Sequence, residues 1–268
     1  MMKKITANGL EFSVQIEGQG PDVLLVHGFP DCHEVWRKQV PALVAAGFRV
    51  IVPDLRGCGD SDMPGKVSDY KLEKLVGDLV ALLHALDVKK VRLVGHDWGA
   101  VLAWQLCLHH PQLVDRYVAL SVGHPNAYSQ GGLAQKLRGY YILLFQLRGF
   151  SEWLCRVYGG GVFRRLLGDH PEFTHWHRRL WRPGRLTAAI NWYRANVWLI
   201  LKNDWPRCLV PTLGVWSDGD LFLVERQMTA SRGQMAAEWR YEQVTGASHW
   251  LQLDQPDRVN RLILDYLA

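Results

Sequence analysis

The sequence lacks the features that stabilise small secreted or membrane-spanning proteins. Its five cysteines are odd in number and never spaced as Cys-x-x-Cys, which argues against a disulfide framework or a zinc site and favours a reducing cytoplasm. No apolar run is long enough to span a bilayer. Lys3 and Lys4 are not followed by the apolar stretch of a signal peptide. We therefore expect a cytoplasmic globular protein that has no membrane partner.

Acidic residues are scarce in the middle of the chain. Between Lys136 and Arg185 there are ten Lys and Arg residues but three Asp and Glu residues, within a net charge of +5. Aromatic residues lie among these bases, a combination that can bind nucleic acid. No nucleic-acid-binding motif accompanies them, so we predict helices with an apolar inner face and a solvated basic outer face, and no nucleic-acid partner.

Length and periodicity indicate one α/β domain that carries an insertion. The chain has 268 residues, 48% hydrophobic and 21% charged, and strands and helices alternate along most of it, which predicts a mostly parallel, doubly wound sheet. The predicted strands are 10–16, 22–27, 48–53, 91–95, 114–122, 212–216 and 239–244. The predicted helices are 33–46, 71–86, 98–109, 224–235 and the segment from 256. Residues 124–206 lose the alternation, so we predict a core domain of 1–123 and 207–268 with a helical lid, 124–206, inserted into it.

Residues 95–99 read Gly-His-Asp-Trp-Gly directly after the apolar run 91–94, the pattern of a nucleophile elbow. The central position holds Asp97 where serine is usual. A carboxylate that attacks an acyl carbon forms only an anhydride, whereas attack on an sp3 carbon forms an ester that water can cleave. The elbow therefore predicts a hydrolase of epoxides or alkyl halides. Taken alone, the motif would equally suit an aspartate that only caps the following helix.

A loop on a neighbouring strand is the candidate for stabilising a developing negative charge. His-Gly-Phe-Pro at 27–30 follows the strand 22–27, and in sheets with a nucleophile elbow this loop supplies a backbone N–H to the oxyanion hole. We assign the two N–H donors to Phe29 and Trp98. The alternative for 27–30 is a plain Gly-Pro turn.

A base and its acid are expected after the elbow, each at a strand end. His249 follows the strand 239–244 and would activate the water that cleaves the ester. Asp220 and Asp218 both follow the preceding strand. We favour Asp220 as the partner of the histidine and expect Asp218 in the turn itself. His96, like most of the eleven histidines, is assigned to packing or to the surface.

Together these motifs resemble those of the soluble epoxide hydrolases of the α/β-hydrolase fold, over nearly the whole chain. The matching segments are 27–30, 53–61, 95–99, 220–222 and 248–250. The resemblance implies an α/β-hydrolase fold with a helical cap, and a reaction between a small-molecule epoxide and water that needs no metal or organic cofactor. It leaves the oligomeric state open between monomer and homodimer.

The lid is expected to distinguish an epoxide from an alkyl halide. An opening epoxide becomes an alkoxide that needs a proton, and tyrosine, with a reference pKa of about 10, can donate one at neutral pH. Epoxide hydrolases use two lid tyrosines for this step, and 141–146 and 191–194 resemble the motifs that carry them. We therefore assign Tyr141 and Tyr193. Tyr140 is the alternative to Tyr141, because successive helical residues point about 100° apart.

The substrate pocket is expected to include Phe29, Trp98, Trp192 and Trp250. A haloalkane dehalogenase would share the aspartate nucleophile, but such enzymes often carry Asn where this chain has Phe29. A catalytically silent receptor of the same fold is a further alternative, although none of the expected catalytic residues is missing. Leu-Arg-Gly at 147–149 departs from the family, which often has an acidic residue and Pro there, and this departure bears on substrate choice.

Overall fold

The computed structural model describes residues 2–268 and contains one eight-stranded sheet. Its strands are Met2–Ala7 (β1), Leu10–Glu17 (β2), Asp22–Val26 (β3), Arg49–Pro53 (β4), Val91–His96 (β5), Val114–Leu120 (β6), Thr212–Ser217 (β7) and Trp239–Val244 (β8). The spatial order is β1-β2-β4-β3-β5-β6-β7-β8; β2 pairs antiparallel with both of its neighbours, β1 and β4, and all other pairs are parallel. The predicted mostly parallel sheet is therefore confirmed.

The first strand, β1, was not predicted from the sequence. It lies at the edge of the sheet, contains two lysines, and exposes most of its side chains, so it carries little of the apolar signal that marks a strand. The turn that joins it to β2 is Asn8-Gly9, and both residues have positive φ, as a tight hairpin turn requires. This dipeptide was the available signal for the hairpin.

Helices of the core pack in two groups beside the sheet. They are Gln39–Ala45 (α1), Leu72–Ala85 (α2), Trp98–His109 (α3), Glu225–Thr229 (α9), Leu251–Asp254 (α10) and Pro256–Leu267 (α11). Helix α2 packs against α3, and α1 packs against α11. The strands between them, such as β3 and β5, are almost wholly buried, which explains their continuous apolar sequences.

Two helix predictions were too long. The segment 33–46 forms a 3-10 turn, His33–Trp36, followed by the shorter helix α1. Pro41 explains the break: it lies in the first turn of α1, where backbone N–H groups need no partner, whereas a helix that began at 33 would require an N–H from this proline. The segment 224–235 similarly divides into α9 and a 3-10 turn, Ala230–Gln234.

Residues 124–206 contain helices and 3-10 turns but no strand. The helices are Gly132–Arg138 (α4), Tyr140–Leu144 (α5), Phe150–Leu166 (α6), Phe173–Leu180 (α7) and Arg185–Ala195 (α8). Helix α6 is interrupted at 157–160, where the φ angles of Tyr158, Gly159 and Gly160 are positive. Within residues 2–268, no helix combines the length and the apolar character needed to cross a membrane.

Candidate active site

Asp97 stands on the sharp turn between β5 and α3. Its φ of 53° and ψ of −125° lie outside the regions that most residues adopt, at a typical cost of about 1–3 kcal/mol. The turn is possible because the residues two positions before and after Asp97 are glycines. A Cβ atom on Gly99 would lie 2.0 Å from the carbonyl oxygen of Val26, and one on Gly95 would lie 2.7 Å from that of Gly99.

Hydrogen-bond donors surround the Asp97 carboxylate. The backbone N–H of Phe29 donates to its Oδ1 at 2.6 Å, and Oδ2 lies 3.5 Å from Nε2 of His249. Burial alone would raise the pKa of Asp97, but His249, His96 and the backbone N–H of Trp98 together lower it. Asp97 is therefore ionised at neutral pH, with one oxygen held by an N–H and the other directed towards His249.

His249 is buried and forms a hydrogen bond through Nδ1 to Oδ2 of Asp220, at 2.8 Å. Burial alone would lower its pKa, but Asp220 and Asp97 outweigh burial and raise the pKa to about 10. Asp220 is itself fixed, because its Oδ1 accepts the backbone N–H groups of Phe222 and Leu223. Asp218 is exposed and accepts the N–H of Gly246 in the turn, so the structure brings Asp220 and not Asp218 to the histidine.

Two tyrosines from separate lid helices lie side by side near Asp97. Tyr141 is on α5 and Tyr193 is on α8, and their ring centroids are 5.8 Å apart in an edge-to-face arrangement. Burial, followed by the charge of Asp97, raises the pKa of both hydroxyls well above the usual value, so both carry a proton at neutral pH. Tyr140 is 58% exposed and lines neither of the two cavities that contain Asp97.

An apolar cavity of about 120 Å³ lies between Asp97 and the two tyrosines. Asp97, Trp98, Tyr141 and Tyr193 line it, with a remaining wall made mostly of apolar and aromatic side chains. Phe29 and Trp250 line a smaller cavity that also touches Asp97, both tyrosines and His249.

One expected pocket residue does not lie on either wall. Trp192 lines a different small cavity beyond Phe29, and its indole N–H donates to the carbonyl oxygen of Arg56 at 3.1 Å. Its ring packs edge-to-face on Trp98 at 5.8 Å. Trp192 therefore supports the wall of the pocket from behind, because its helix turns the indole towards the core rather than towards Asp97.

Two buried polar residues next to the site were not singled out for it from the sequence. The ring of His96 lies 4.7 Å from that of His249, and its Nε2 donates to the carbonyl oxygen of His249 at 2.9 Å. Burial lowers the pKa of His96 to about 3, so its ring is neutral. Asp31 lies 3.9 Å from the other ring nitrogen of His96.

Burial raises the pKa of Asp31 to about 7 although two indoles, those of Trp176 and Trp250, donate to its carboxylate. Their positions in the sequence could have indicated that both residues lie near the site, because Asp31 directly follows the 27–30 loop and His96 directly precedes Asp97. Asp31 joins a lid tryptophan to the tryptophan that follows His249, and so connects the lid to the site.

A second cluster has metal-ligand residue types but is not suited to a metal. Side-chain ligand atoms of Cys32, His33 and Asp54 lie within 4.8 Å of one another. Asp54 already accepts hydrogen bonds from the backbone and ring of His33 and from the N–H of Asp60. Burial raises the pKa of the Cys32 thiol, which keeps it protonated. These groups instead tie the 53–61 loop to the loop at 31–33.

The sheet order and the strand–turn–helix elbow at Asp97 together define the α/β-hydrolase fold. The chain belongs to the alpha/beta hydrolase fold family, whose sequence model matches residues 21–256. Among its relatives it is 31% identical to epoxide hydrolase 4 of Homo sapiens, over 98% of this chain and 77% of that protein. It is 33% identical to epoxide hydrolase 3 of Xenopus tropicalis, over 97% of this chain and 75% of that protein.

Solved structures of epoxide hydrolases also match this chain. A crystal structure of an epoxide hydrolase from Vigna radiata matches 100% of this chain and 97% of that chain, with a TM-score of 0.85 and 28% identity. A structure described among novel epoxide hydrolases from metagenomes of hot environments matches with a TM-score of 0.90 and 26% identity, over 100% of this chain and 98% of that chain. The predicted fold class and the resemblance to epoxide hydrolases are confirmed.

Proposed function

We propose that this protein hydrolyses epoxides to vicinal diols through a covalent ester on Asp97. The observation that carries this proposal is the pairing, across one apolar cavity, of an ionised carboxylate with two protonated tyrosines. A nucleophile and two acids that face each other suit a substrate whose leaving group must be protonated while it remains attached. An epoxide oxygen is such a leaving group. The relatives named epoxide hydrolase support the same activity.

In the first step, Oδ2 of Asp97 attacks the less hindered or benzylic carbon of the epoxide. The ring carbon–oxygen bond breaks, and its electron pair goes to the oxygen, which takes a proton from one tyrosine while the other donates a hydrogen bond. The apolar lining of the cavity strengthens these bonds, because a low-dielectric surrounding screens them less than bulk water would. The product of the step is a hydroxyalkyl ester on Asp97, and the tyrosinate regains a proton that originates from His249.

That proton transfer prepares the second step. His249 has a pKa of about 10 while Asp97 is charged, so it is protonated in the resting enzyme and cannot yet act as a base. Esterification removes the charge of Asp97, which is one of the two causes of the raised pKa. Neutral His249 then takes a proton from the water that attacks Cγ of Asp97, and Asp220 keeps the ring oriented.

The developing oxyanion in this step is on Oδ1, which already accepts the N–H of Phe29. The N–H of Trp98 is the second donor in the proposal. Such donors typically contribute about 3 kcal/mol each to the transition state. Collapse of the intermediate breaks the bond between Cγ and the ester oxygen, and that oxygen takes the proton of the hydroxyl that water added to Cγ. The diol leaves, Asp97 is ionised again and His249 stays protonated, so protons and charges balance over the cycle.

We assign 1–123 and 207–268 to the catalytic core and 124–206 to a lid that supplies the two acids. The origin of the proposed catalytic residues supports this division. Tyr141 and Tyr193 come from 124–206, and the three others, Asp97, Asp220 and His249, come from the core. We further assign the protein to a reducing compartment such as the cytoplasm, because all five cysteines are free, and we propose that it acts as a monomer or a homodimer.

Matched substrates test the reaction type. Styrene oxide should yield diol, whereas the halide of the same skeleton should release no halide, because Phe29 stands where dehalogenases often carry an Asn that holds the leaving halide. A single turnover in ¹⁸O-labelled water sharpens the test: the label should enter Asp97 and be absent from the first diol, whose new oxygen comes from the carboxylate. Label found directly in the first diol would overturn the ester mechanism, and rapid halide release would make the protein a dehalogenase.

A further inference from the structure

Residues 133–153 expose a series of large apolar side chains to solvent. Seven large side chains form what we term the outer lid stripe, and each is between 47% and 71% exposed. The stripe consists of Leu133, Leu137, Tyr140, Leu143, Leu147, Phe150 and Trp153. Monomeric proteins rarely expose so many large apolar groups in succession without a use for them.

Helical geometry puts these residues on one side. They follow one another at intervals of three or four residues, the spacing of one helix face. A helical hydrogen bond crosses each junction between α4, α5 and α6, from Gly139 N–H to the carbonyl of Gln135 and from Ser151 N–H to that of Leu147, although the positive φ of Gly149 interrupts the helix between α5 and α6. The rings of Phe150 and Trp153 are 5.5 Å apart. The opposite face of α5 carries Tyr141, so one short helix presents both the stripe and the active site.

The charges beside the stripe have one sign. Lys136, Arg148 and Arg156 are exposed between or next to its members. From 124 to 168 the chain contains a single acidic residue, Glu152, and that residue is buried in an ion pair with Arg194. Exposed residues from 132 to 158 are apolar, aromatic, glycine or basic, with no exposed Ser, Thr, Asn, Gln, Asp or Glu among them.

We propose that the outer lid stripe docks the protein on an anionic membrane surface. Leucine and aromatic side chains would enter the region between head groups and acyl chains, and the three bases would contact anionic head groups. Tyr140 and Trp153 suit the polar–apolar boundary. A protein partner would need neutral hydrogen-bonding groups, about one bond per 100–200 Å² of interface, and the stripe offers almost none. The proposed contact lies on the membrane surface and does not span it, and it differs from the sequence-based expectation of no membrane partner, which stays a prediction.

Vesicle flotation tests the proposal without any measurement of turnover. The protein should float with vesicles of equal parts phosphatidylcholine and phosphatidylglycerol, bind phosphatidylcholine alone far more weakly, and dissociate as salt is raised. Replacing Lys136, Arg148 and Arg156 by Gln should weaken binding roughly 100-fold, since each base near an anionic surface contributes about a fivefold factor. The control that removes equal charge elsewhere, Lys38→Gln with Lys66→Gln and Arg261→Gln, should bind as the unaltered protein does.

A second pair of variants separates apolar insertion from charge. Leu137→Ser with Leu147→Ser and Trp153→Ser should abolish flotation, whereas Leu201→Ser with Leu209→Ser, which alters exposed leucines outside the stripe, should not. Flotation that survives the stripe substitutions would overturn the proposal. An equal loss of vesicle binding in the triple Gln variant of the stripe and in its control, which removes three bases elsewhere, would also overturn it. A dimer that the stripe substitutions convert to a monomer, without vesicle binding, would identify the stripe as a contact between two copies. Binding to soluble polyglutamate as strong as to vesicles would identify an acidic polymer as the partner.

Discussion

At the scale of single residues, the site depends on how charges are paired. Asp97 and Asp220 lie on either side of His249, and both raise its pKa, although burial opposes them. The same Asp97 charge raises the pKa of the two tyrosines, which are already protonated because of burial. In the proposed mechanism the charge of Asp97 therefore helps to keep His249 protonated until the ester forms, whereas the two tyrosines are protonated with or without it.

Removing the tyrosine hydroxyls tests the acid assignment. Tyr141→Phe or Tyr193→Phe should each lower epoxide turnover by about 10²–10⁴-fold, the usual contribution of one general acid, because the second hydroxyl cannot fully replace the first. The double variant should lose turnover almost completely. Tyr140→Phe is the matched control on the same helix and should behave as the unaltered protein, because Tyr140 points to solvent. Equal effects at 140 and 141 would refute the assignment.

The charge coupling predicts different pH dependences for the two chemical steps. Ester formation should be flat around neutral pH, because Asp97 is ionised and His249 stays protonated up to about pH 10. Ester hydrolysis should accelerate as pH rises, because His249 must be neutral and its pKa falls once Asp97 is esterified. Stopped-flow tryptophan fluorescence separates the steps. In His249→Gln the ester should accumulate and appear by mass spectrometry on the peptide that contains Asp97. Parallel pH profiles, or no adduct, would contradict the role of His249.

At the scale of elements, two lid helices are held together behind the tyrosines. Arg194, next to Tyr193 on α8, donates to both carboxylate oxygens of Glu152 on α6 at 2.7 and 2.9 Å, and both side chains are almost fully buried. It also donates to the carbonyl oxygen of Phe145, just after α5. Through these contacts Arg194 sets the position of α8, which carries Tyr193, relative to α5, which carries Tyr141.

Arg194→Met should destabilise the protein by about 3–5 kcal/mol, because it leaves a buried carboxylate unpaired. Adding Glu152→Gln should recover part of that loss. Burial would raise the pKa of Glu152, but Arg194 lowers it to about 2. The pair's contribution is therefore present above pH 4.5, the unfolded value, and lost as pH falls towards 2. Urea unfolding at pH 7 and pH 3 measures this. A single variant as stable as the double at pH 7 would contradict the prediction.

At the scale of the whole molecule, basic residues join the lid to the core. Arg179 binds Glu34 and Asp60, and Arg182 binds Asp60 and the carbonyl oxygen of Gly59. The expectation of a wholly solvated basic face was therefore wrong for these residues. Glu34 and Asp60 lie close in sequence to the 27–30 loop and within the 53–61 loop, so we expect attraction between these charges to hold the proposed lid against the proposed core.

Asp60→Asn should loosen the lid without unfolding the protein. It weakens the contacts of Arg179 and Arg182, which are partly exposed and each contribute about 0.2–1 kcal/mol. Hydrogen exchange should accelerate in α7 and the start of α8 by up to several fold, with little change in the global unfolding free energy. Glu242→Gln removes an exposed pair with Arg258 at the far edge of the sheet and should leave the lid unaffected. Equal exchange in both variants would count against closure by these pairs.

The sequence alone determined the class of fold and most of the candidate site. Buried strands of the parallel sheet and the helices next to them have strong apolar periodicity, so β3, β5, α2 and α3 were predictable nearly to the residue. The elbow was predictable because only glycine fits on both sides of Asp97. The catalytic assignments made from these motifs stay predictions, but the structure brings Asp97, Asp220, His249, Tyr141 and Tyr193 together as they require.

Only the tertiary structure decided contacts between segments that are distant in the chain. The edge strand β1 lacked an apolar pattern and forms by pairing with β2. Trp192 carries no sequence signal for the direction of its ring, which depends on the approach of Arg56. The environment of Asp31 arises from two tryptophans 145 and 219 residues away. The periodicity of apolar residues indicates which side of a helix or strand is buried. Which residues that side contacts, and how those contacts shift the pKa of a buried group, depend on how the helices and strands pack.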